Sequence, residues 1–571
     1  MKPLCLLLGI LASAPLLPAQ TGKVYVEFKV TSNWNSAFSG QISITNHASW
    51  TIWNWKLEFD FQHKIVSLWN ADWRRLPSGR VVIEPGKKIW VPKNLEPGKK
   101  LTFGFTAKPG GTIHTPSKGT LCGYPIVFNG YSNAPPPLKP IPAPVWPKRV
   151  FAPYVDVTQY PPFDIVGAAG EAGIQFFTLA FVVSKSTSKP VPSWGGYYPT
   201  DKGFLLPEII ALRKLGADVI VSFGGQAGTE LAVTASSVQE LVKVYQSVID
   251  AYKLTHIDFD IEGAWVAHPK SIQLRSKALA ILQKNAAKAG RELKIWLTLP
   301  VMPYGLAPDG VNVVKSAVAA GVDLAGVNIM AMDYGGPTTH MGKDAIDAAT
   351  NTHKQLMGIL KNKTSRQVWS MIGITPMIGK NDVKGEFFYQ KDMRMVLAFA
   401  RQKEIGMLSF WSITRDFPPP PGQMGQLSPH HSGIPQKRFE FSRIAAPFTP
   451  PWRNLGLGLA GSGGIPSLEG TGSLVARRSF TLDLAKGPAQ APAVLVAGPS
   501  RKDLPFLGGI MVPAPAVFLA GVTNSSGAFQ WKALWPGNTP FGTALYYQAW
   551  CLDKGGPMGA SASNALESRS R

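Results

Sequence analysis

Three acidic residues alternate with apolar ones in one short run, Thr255-His256-Ile257-Asp258-Phe259-Asp260-Ile261-Glu262-Gly263. Successive side chains of a β-strand point to opposite faces, so Asp258, Asp260 and Glu262 share one face while Ile257, Phe259 and Ile261 share the other. Neighbouring acids then lie about 6–7 Å apart. Carboxylates held that close raise one another's pKa, and a raised pKa lets a carboxyl arrive protonated near neutral pH. An exposed edge strand could show the same alternation, but the flanking pattern is that of a strand covered on both sides. The run reads as an acid/base site.

Length and composition bound what this strand can belong to. At 571 residues the chain is too long for one ordinary core, so about three domains are expected. A hydrophobic content of 45% with 16% charged residues describes a globular protein, and 49 Pro and 57 Gly point to many loops and linkers. The net charge of +23 favours acidic surfaces as non-specific partners. No basic run or zinc-finger spacing concentrates that charge, so no specific nucleic-acid partner is expected. Residues 1–20, MKPLCLLLGILASAPLLPAQ, have the basic start, apolar stretch and small residues of a secretory signal peptide, which makes the mature protein secreted and extracellular. No other stretch carries the roughly 18–20 apolar residues that a membrane span needs. Cys5 would leave with the signal, and two remaining cysteines, Cys122 and Cys551, exclude a disulfide framework.

The texture of the chain changes three times. Residues 21–131 alternate in runs such as Val24-Tyr25-Val26-Glu27-Phe28, the pattern of a β-sandwich, and hold seven tryptophans: Trp34, Trp50, Trp53, Trp55, Trp69, Trp73 and Trp90. So small a core has room for one or two, and exposed flat indoles suit stacking on sugar rings. Residues 132–148 are Pro-rich and read as a semi-rigid spacer. Residues 149–448 alternate short β-branched runs with amphipathic stretches in eight units, the pattern of an α/β TIM (β/α)8 barrel, with strands expected at 151–157, 176–183, 218–223, 255–262, 294–300, 322–330, 368–374 and 407–411. Helical patterns fall at 205–215, 238–252, 271–288, 345–360 and 392–403. The acidic run is the fourth strand, and the carboxyl ends of such strands carry the chemistry. Residues 449–571, with short apolar runs between Gly, Pro and Asn turns, suggest a small all-β domain of unknown role. The fold class expected is therefore multidomain, a barrel flanked by two β domains.

Two stretches resemble known families. Ser32-Asn33-Trp34, Ile44-Thr45-Asn46, Trp55-Lys56-Leu57, Leu68-Trp69-Asn70, Trp90, Pro97-Gly98 and Phe103-Gly104-Phe105 follow one another as in the family 2 carbohydrate-binding modules, which bind crystalline cellulose or chitin. That resemblance implies a planar binding face of Trp34, Trp69 and Trp90, with Trp55 in the core. The spacing from Trp90 to Gly98 is one residue longer than usual, which leaves Trp73 or Trp53 as alternatives. Ile257-Asp258-Phe259-Asp260-Ile261-Glu262 resembles the D-x-x-D-x-D-x-E signature of the family 18 glycoside hydrolases, the chitinases. Val221-Ser222-Phe223-Gly224-Gly225 is similar to the family's S-x-G-G element, Met330-Ala331-Met332-Asp333 to its M-x-Y-D, and Trp411 closes the eighth strand. Thr255 replaces the first Asp of the signature and Met332 the tyrosine of M-x-Y-D.

The resemblance implies a substrate-assisted, retaining hydrolysis of β-1,4-linked N-acetylglucosamine without cofactor or metal. Glu262 would protonate the glycosidic oxygen while the substrate's own acetamido oxygen attacks the anomeric carbon. Asp260 would accept the acetamido N–H, Asp258 would share a proton with Asp260, and Asp333 would tune the cluster from across the cleft. Trp411 would floor the reacting sugar, with Met330, Ser222, Gly224 and Gly225 around it. In place of the missing tyrosine, Tyr334 and Tyr304 are the candidates to hold the acetamido oxygen. About 30 residues separate the seventh and eighth strands, too few for an added wall domain, so an open, endo-acting cleft is expected on a monomer whose partner is chitin or a related insoluble polysaccharide such as cellulose. A weak or inactive chitin-binding protein and an endo-β-N-acetylglucosaminidase acting on glycans are the alternatives.

Overall fold

The computed structural model describes residues 22–86, 92–472, 474–475 and 477–570, so the expected signal peptide and Trp90 lie outside the described residues. The chain divides into two compact units, 1–139 and 140–571.

In the first unit two five-stranded sheets enclose one core. Alternation decides what goes inside: along Lys23–Trp34, Val24, Val26 and Phe28 are buried while Tyr25, Glu27 and Lys29 face out. Trp55 is fully buried, stacks on Phe103 with ring centroids 5.9 Å apart, and gives its N–H to Pro92 O at 2.8 Å. Trp34 and Trp69 are 45% and 48% exposed. Trp69 pairs with Gly104 across the sheet, and a Cβ on Gly104 would meet its ring at 2.4 Å. Glycine there lets the indole lie against the backbone. Trp53 and Trp73 are half-buried, and Trp73 packs against the core.

The second unit is organised by eight parallel strands. Tyr154–Asp156, Phe176–Ser184, Asp218–Gly224, His256–Asp260, Lys294–Met302, Leu324–Met330, Ile372–Thr375 and Met407–Leu408 follow one another, each parallel to the next. The first is one half of a strand interrupted at Pro153; the other half, Val150–Phe151, pairs in parallel with Met407–Leu408. Helices between the strands lay apolar faces on them. Val238–Tyr252 starts where the Ser237 side chain accepts the Glu240 N–H, and it buries Leu241, Tyr245, Val248, Ile249 and Tyr252 at helical spacing.

Several boundaries differ from the sequence reading. The seventh strand is Ile372–Thr375, because 365–369 instead forms a helix whose N-terminus Thr364 and Gln367 close with a reciprocal capping box. Ile165–Ala172 and Pro308–Ala319 are additional helices. Part of the expected spacer is packed: Ile141 O accepts Arg213 Nη1 at 2.7 Å, and Trp146 donates to Asp218 at 2.9 Å while stacking on His256 at 3.8 Å. A flat ring with one donor finds both partners there, which outweighs the extended bias of the flanking prolines. The last residues form six-stranded and three-stranded antiparallel sheets over a core that includes Leu482, Leu495, Trp535 and Ala549. Arg453 ties them to the turn before the strand Asp218–Gly224 through Gly216 O at 2.6 Å. Cys122 and Cys551 are free thiols. No helix among the described residues is long and apolar enough to cross a membrane.

Candidate active site

At the carboxyl ends of the parallel strands lies a cleft of about 520 Å³. Asp260, Glu262, Asp333, Trp411, Met330 and Met332 line it. Strand geometry ends at Asp260, and Glu262 follows in extended backbone just before Gly263 turns the chain with a positive φ of 54°. Glu262 thereby stands at the rim, half-buried, above the fully enclosed Asp258.

The two aspartates have different partners. Asp258 accepts three hydroxyls: Ser222 at 2.6 Å and Tyr154 at 2.9 Å on Oδ2, and Thr298 at 2.7 Å on Oδ1. Burial raises its pKa to about 6, and those three donors hold it from rising further. Asp260 is hydrogen-bonded to Glu262 instead, and its Oδ1 is buried without a partner. Asp258, which the resemblance pairs with Asp260 for proton sharing, accepts hydroxyls on both oxygens, and the carboxyl bonded to Asp260 is Glu262. Burial, then the charges of Glu262 and Asp258, lift Asp260 well above the ordinary carboxylate range. Glu262 is raised to about 7, first by burial, while the bond to Asp260 opposes the rise and the charge of Asp333 adds to it.

Asp333 sits across from this pair. Its Oδ1 accepts the Val383 N–H at 3.0 Å, burial raises its pKa, and Asp382 beside it pushes the same way against Arg415. Arg415 is buried with one Nη on the carbonyls of Ile378 and Lys380; burial lowers its pKa to about 10, so it remains a cation at neutral pH. Trp411 forms an apolar wall with Phe181, their rings 5.7 Å apart and nearly parallel, and Tyr154 lies 6.0 Å away.

Several expected sugar contacts are placed elsewhere. Ser222 is fully buried and spends its hydroxyl on Asp258. Gly224 and Gly225 are close-approach positions: a Cβ on Gly224 would lie 2.0 Å from Asp260 O, and the Gly225 N–H donates to that same oxygen at 2.9 Å. Both have positive φ, which suits glycine. They set the third strand against the fourth. Tyr334 is turned from the cleft, because the sixth strand ends at Met330 and Asp333 has a φ of 52°, which breaks the alternation. Glu386 holds the backbone N–H of Tyr334 at 3.1 Å and the ring packs on the core. Tyr304 is 65% exposed in the turn after the fifth strand and lies outside the lining. Of the loop aromatics after the second strand, Tyr197 lines the cleft, whereas Trp194 is fully buried and donates to Tyr252.

Sequence reasoning passed over Tyr154, Asp156, Phe181, Gln226, Thr298, Thr375, Met377 and Asp382, all in the lining. A usable signal existed for three of them. Tyr154, Thr298 and Thr375 are polar or phenolic residues at or near the carboxyl ends of apolar strands, where an inward hydroxyl needs a buried partner.

Comparison with known proteins finds relatives for both units of the chain. Residues 24–125 match the cellulose binding domain family. The chain is 41% identical over 321 residues to a probable bifunctional chitinase/lysozyme of Escherichia coli, covering 54% of this chain and 35% of that protein. It is 42% identical over 287 residues to endochitinase 11 of Metarhizium anisopliae, covering 48% of this chain and 54% of that one. The chain therefore spans between about a third and a half of the length of these curated relatives. The catalytic domain of a hyperthermophilic chitinase from Pyrococcus furiosus is 36% identical, with 54% of this chain and 96% of that chain covered and a TM-score of 0.49. The chain belongs to the family 18 glycoside hydrolases, the chitinases, and carries an N-terminal module of the cellulose-binding family.

Proposed function

We propose that this is a secreted chitinase that cuts β-1,4-N-acetylglucosamine polymers internally by substrate-assisted, retaining catalysis. One observation carries the reading: a carboxyl raised to about 7, Glu262, is bonded to an aspartate whose Oδ1 is buried in the cleft lining without a partner. An unsatisfied buried acceptor is costly, and an acetamido N–H from the substrate would satisfy it. That bond draws Asp260 toward the sugar and turns the acetamido oxygen to the anomeric carbon. Glu262 gives its proton to the leaving oxygen, and water then opens the oxazolinium ion with Glu262 as base. Asp258 stays beneath as a fixed charge, and Asp333 keeps Glu262 protonated from the opposite wall.

The architecture that would hold this site is a (β/α)8 barrel, supported by the first strand, whose halves pair with the eighth and the second strands. We assign residues 149–448 to it, 21–131 to a carbohydrate-binding β-sandwich and 449–571 to a separate β domain. Internal cutting is favoured by the connection from the seventh to the eighth strand, where a short hairpin, Gly379–Lys380 with Phe387–Phe388, and the helix Gln390–Lys403 leave the cleft without an added wall. Export rests on the signal-like residues 1–20.

The general acid must be protonated, and the folded protein holds Glu262 at about 7, above its ordinary 4.5. The acid form is therefore complete in mildly acidic solution and lost as pH rises through about 7. For chito-oligosaccharides in EDTA, kcat/KM should fall tenfold per unit above that point; a profile flat to pH 9 would refute the assignment. On microcrystalline chitin or cellulose, Trp69→Ala should adsorb about tenfold more weakly, the worth of roughly 1.5 kcal/mol of stacking, with unchanged hydrolysis of soluble oligomers. Unchanged adsorption would remove Trp69 from the binding face.

A further inference from the structure

A directed run of hydrogen bonds crosses four parallel strands and ends on Asp258. Thr375 on the seventh strand donates its Oγ1–H to Asn328 Oδ1 at 2.8 Å. Asn328 on the sixth donates through Nδ2 to Thr298 Oγ1 at 3.0 Å and reaches Tyr154 Oη at 3.4 Å. Thr298 on the fifth donates to Asp258 Oδ1 at 2.7 Å, and Tyr154 donates to Oδ2 at 2.9 Å. All five residues are at most 2% exposed.

The direction of the run follows from counting protons. A hydroxyl has one proton, and Tyr154 Oη and Thr298 Oγ1 are only 2.9 Å apart, close enough for one to donate to the other and desert Asp258. Asn328 prevents this. Its carbonyl is taken by Thr375, so its two N–H groups face the two hydroxyl oxygens, which accept from it and keep their own protons for Asp258. With Ser222, three donors then converge on the Asp258 carboxylate, which favours its ionised form. The titratable groups coupled to it are Asp260 on its own strand and Tyr154 on the first; the third and fifth strands present the hydroxyls of Ser222 and Thr298, and the sixth and seventh the uncharged Asn328 and Thr375.

We infer that Asn328, locked by Thr375, is a positioning residue that holds Asp258 as the anion and so leaves the mobile proton on the Asp260–Glu262 pair, where the reaction uses it. The inference rests on the reading of Glu262 as general acid. Without the amide, one hydroxyl can turn to the other, Asp258 loses a donor and takes up a proton, and Asp260 loses an anionic neighbour. The pair then gives up its proton at lower pH.

The test is the pH profile of kcat/KM for full-length Asn328→Leu and Thr375→Val on a soluble chito-oligosaccharide, with thermal unfolding recorded alongside. In Asn328→Leu the alkaline limb should move about one unit toward acid, the worth of one hydrogen bond to a charged group. Thr375→Val should move it the same way by less, and the double variant should move it no further than Asn328→Leu alone, since both act through one amide. A purely structural role would lower stability or kcat and leave the limb in place. An unmoved limb in folded Asn328→Leu, or in Thr375→Val should the leucine variant not fold, overturns the inference, as do additive shifts. A wild-type chain inert on the oligosaccharide would instead overturn the reading of the site.

Discussion

Glu262→Gln is expected to hydrolyse chito-oligosaccharides about 10³-fold more slowly than the wild type, with KM within a few-fold. Glutamine keeps the shape and can still hydrogen-bond to Asp260, but it has no proton to give to the leaving oxygen. The loss should fall on kcat because Glu262 stands at the cleft rim, where a proton donor contributes to the transition state more than to binding. The substitution also removes the titrating group, so the residual rate should lose its alkaline limb near pH 7. Stability should be nearly unchanged or slightly higher, since a carboxyl whose pKa is raised by burial and by Asp333 is a strained group in its ionised form. A residual rate within tenfold of wild type would remove Glu262 from the role.

Asp260→Ala is expected to cost about 10²–10³ in kcat, the usual worth of one preorganised electrostatic contact to a developing charge. Two functions disappear together. The unpartnered Oδ1 that would receive the acetamido N–H is gone, and so is the hydrogen-bond partner of Glu262. The bond to Asp260 opposes the rise in the Glu262 pKa, so its removal sends Glu262 upward and the alkaline limb should move to higher pH. That direction is opposite to the shift expected for Asn328→Leu. A variant that lost rate with an unmoved limb would show that Asp260 does not communicate with Glu262.

The legible part of this molecule was the part with a strict period. The helix 238–252 is found at its expected bounds, because its apolar stripe is bordered by Ser237 as cap and by Lys253 in the left-handed conformation. The alternation of the fourth strand placed Asp258 and Asp260 correctly on the inner face, yet it could not show that Asp258 is already committed to three hydroxyls. Those partners come from the first, third and fifth strands, 36 to 104 residues away in sequence. Tyr334 was misplaced for a related reason: alternation predicts a face only while the strand lasts, and Asp333 leaves it with a positive φ. At 368–369 the start of the expected seventh strand instead ends the helix Ser365–Trp369, and the overlooked signal was the Thr364-to-Gln367 cap. Residues 141–146 show the converse, a proline-rich segment whose single tryptophan finds a stacking partner and a buried acceptor.

Substrate-assisted catalysis is tested most directly by the anomeric form of the first product. Proton NMR during the opening turnovers on chitohexaose should show the β-anomer of the new reducing end before mutarotation, since attack by the acetamido oxygen and then by water inverts the carbon twice. The α-anomer appearing first would mean that water attacks directly from the opposite face. Asp260 would then not orient an acetamido nucleophile, and the proton it shares with Glu262 would not serve the reaction in the way proposed.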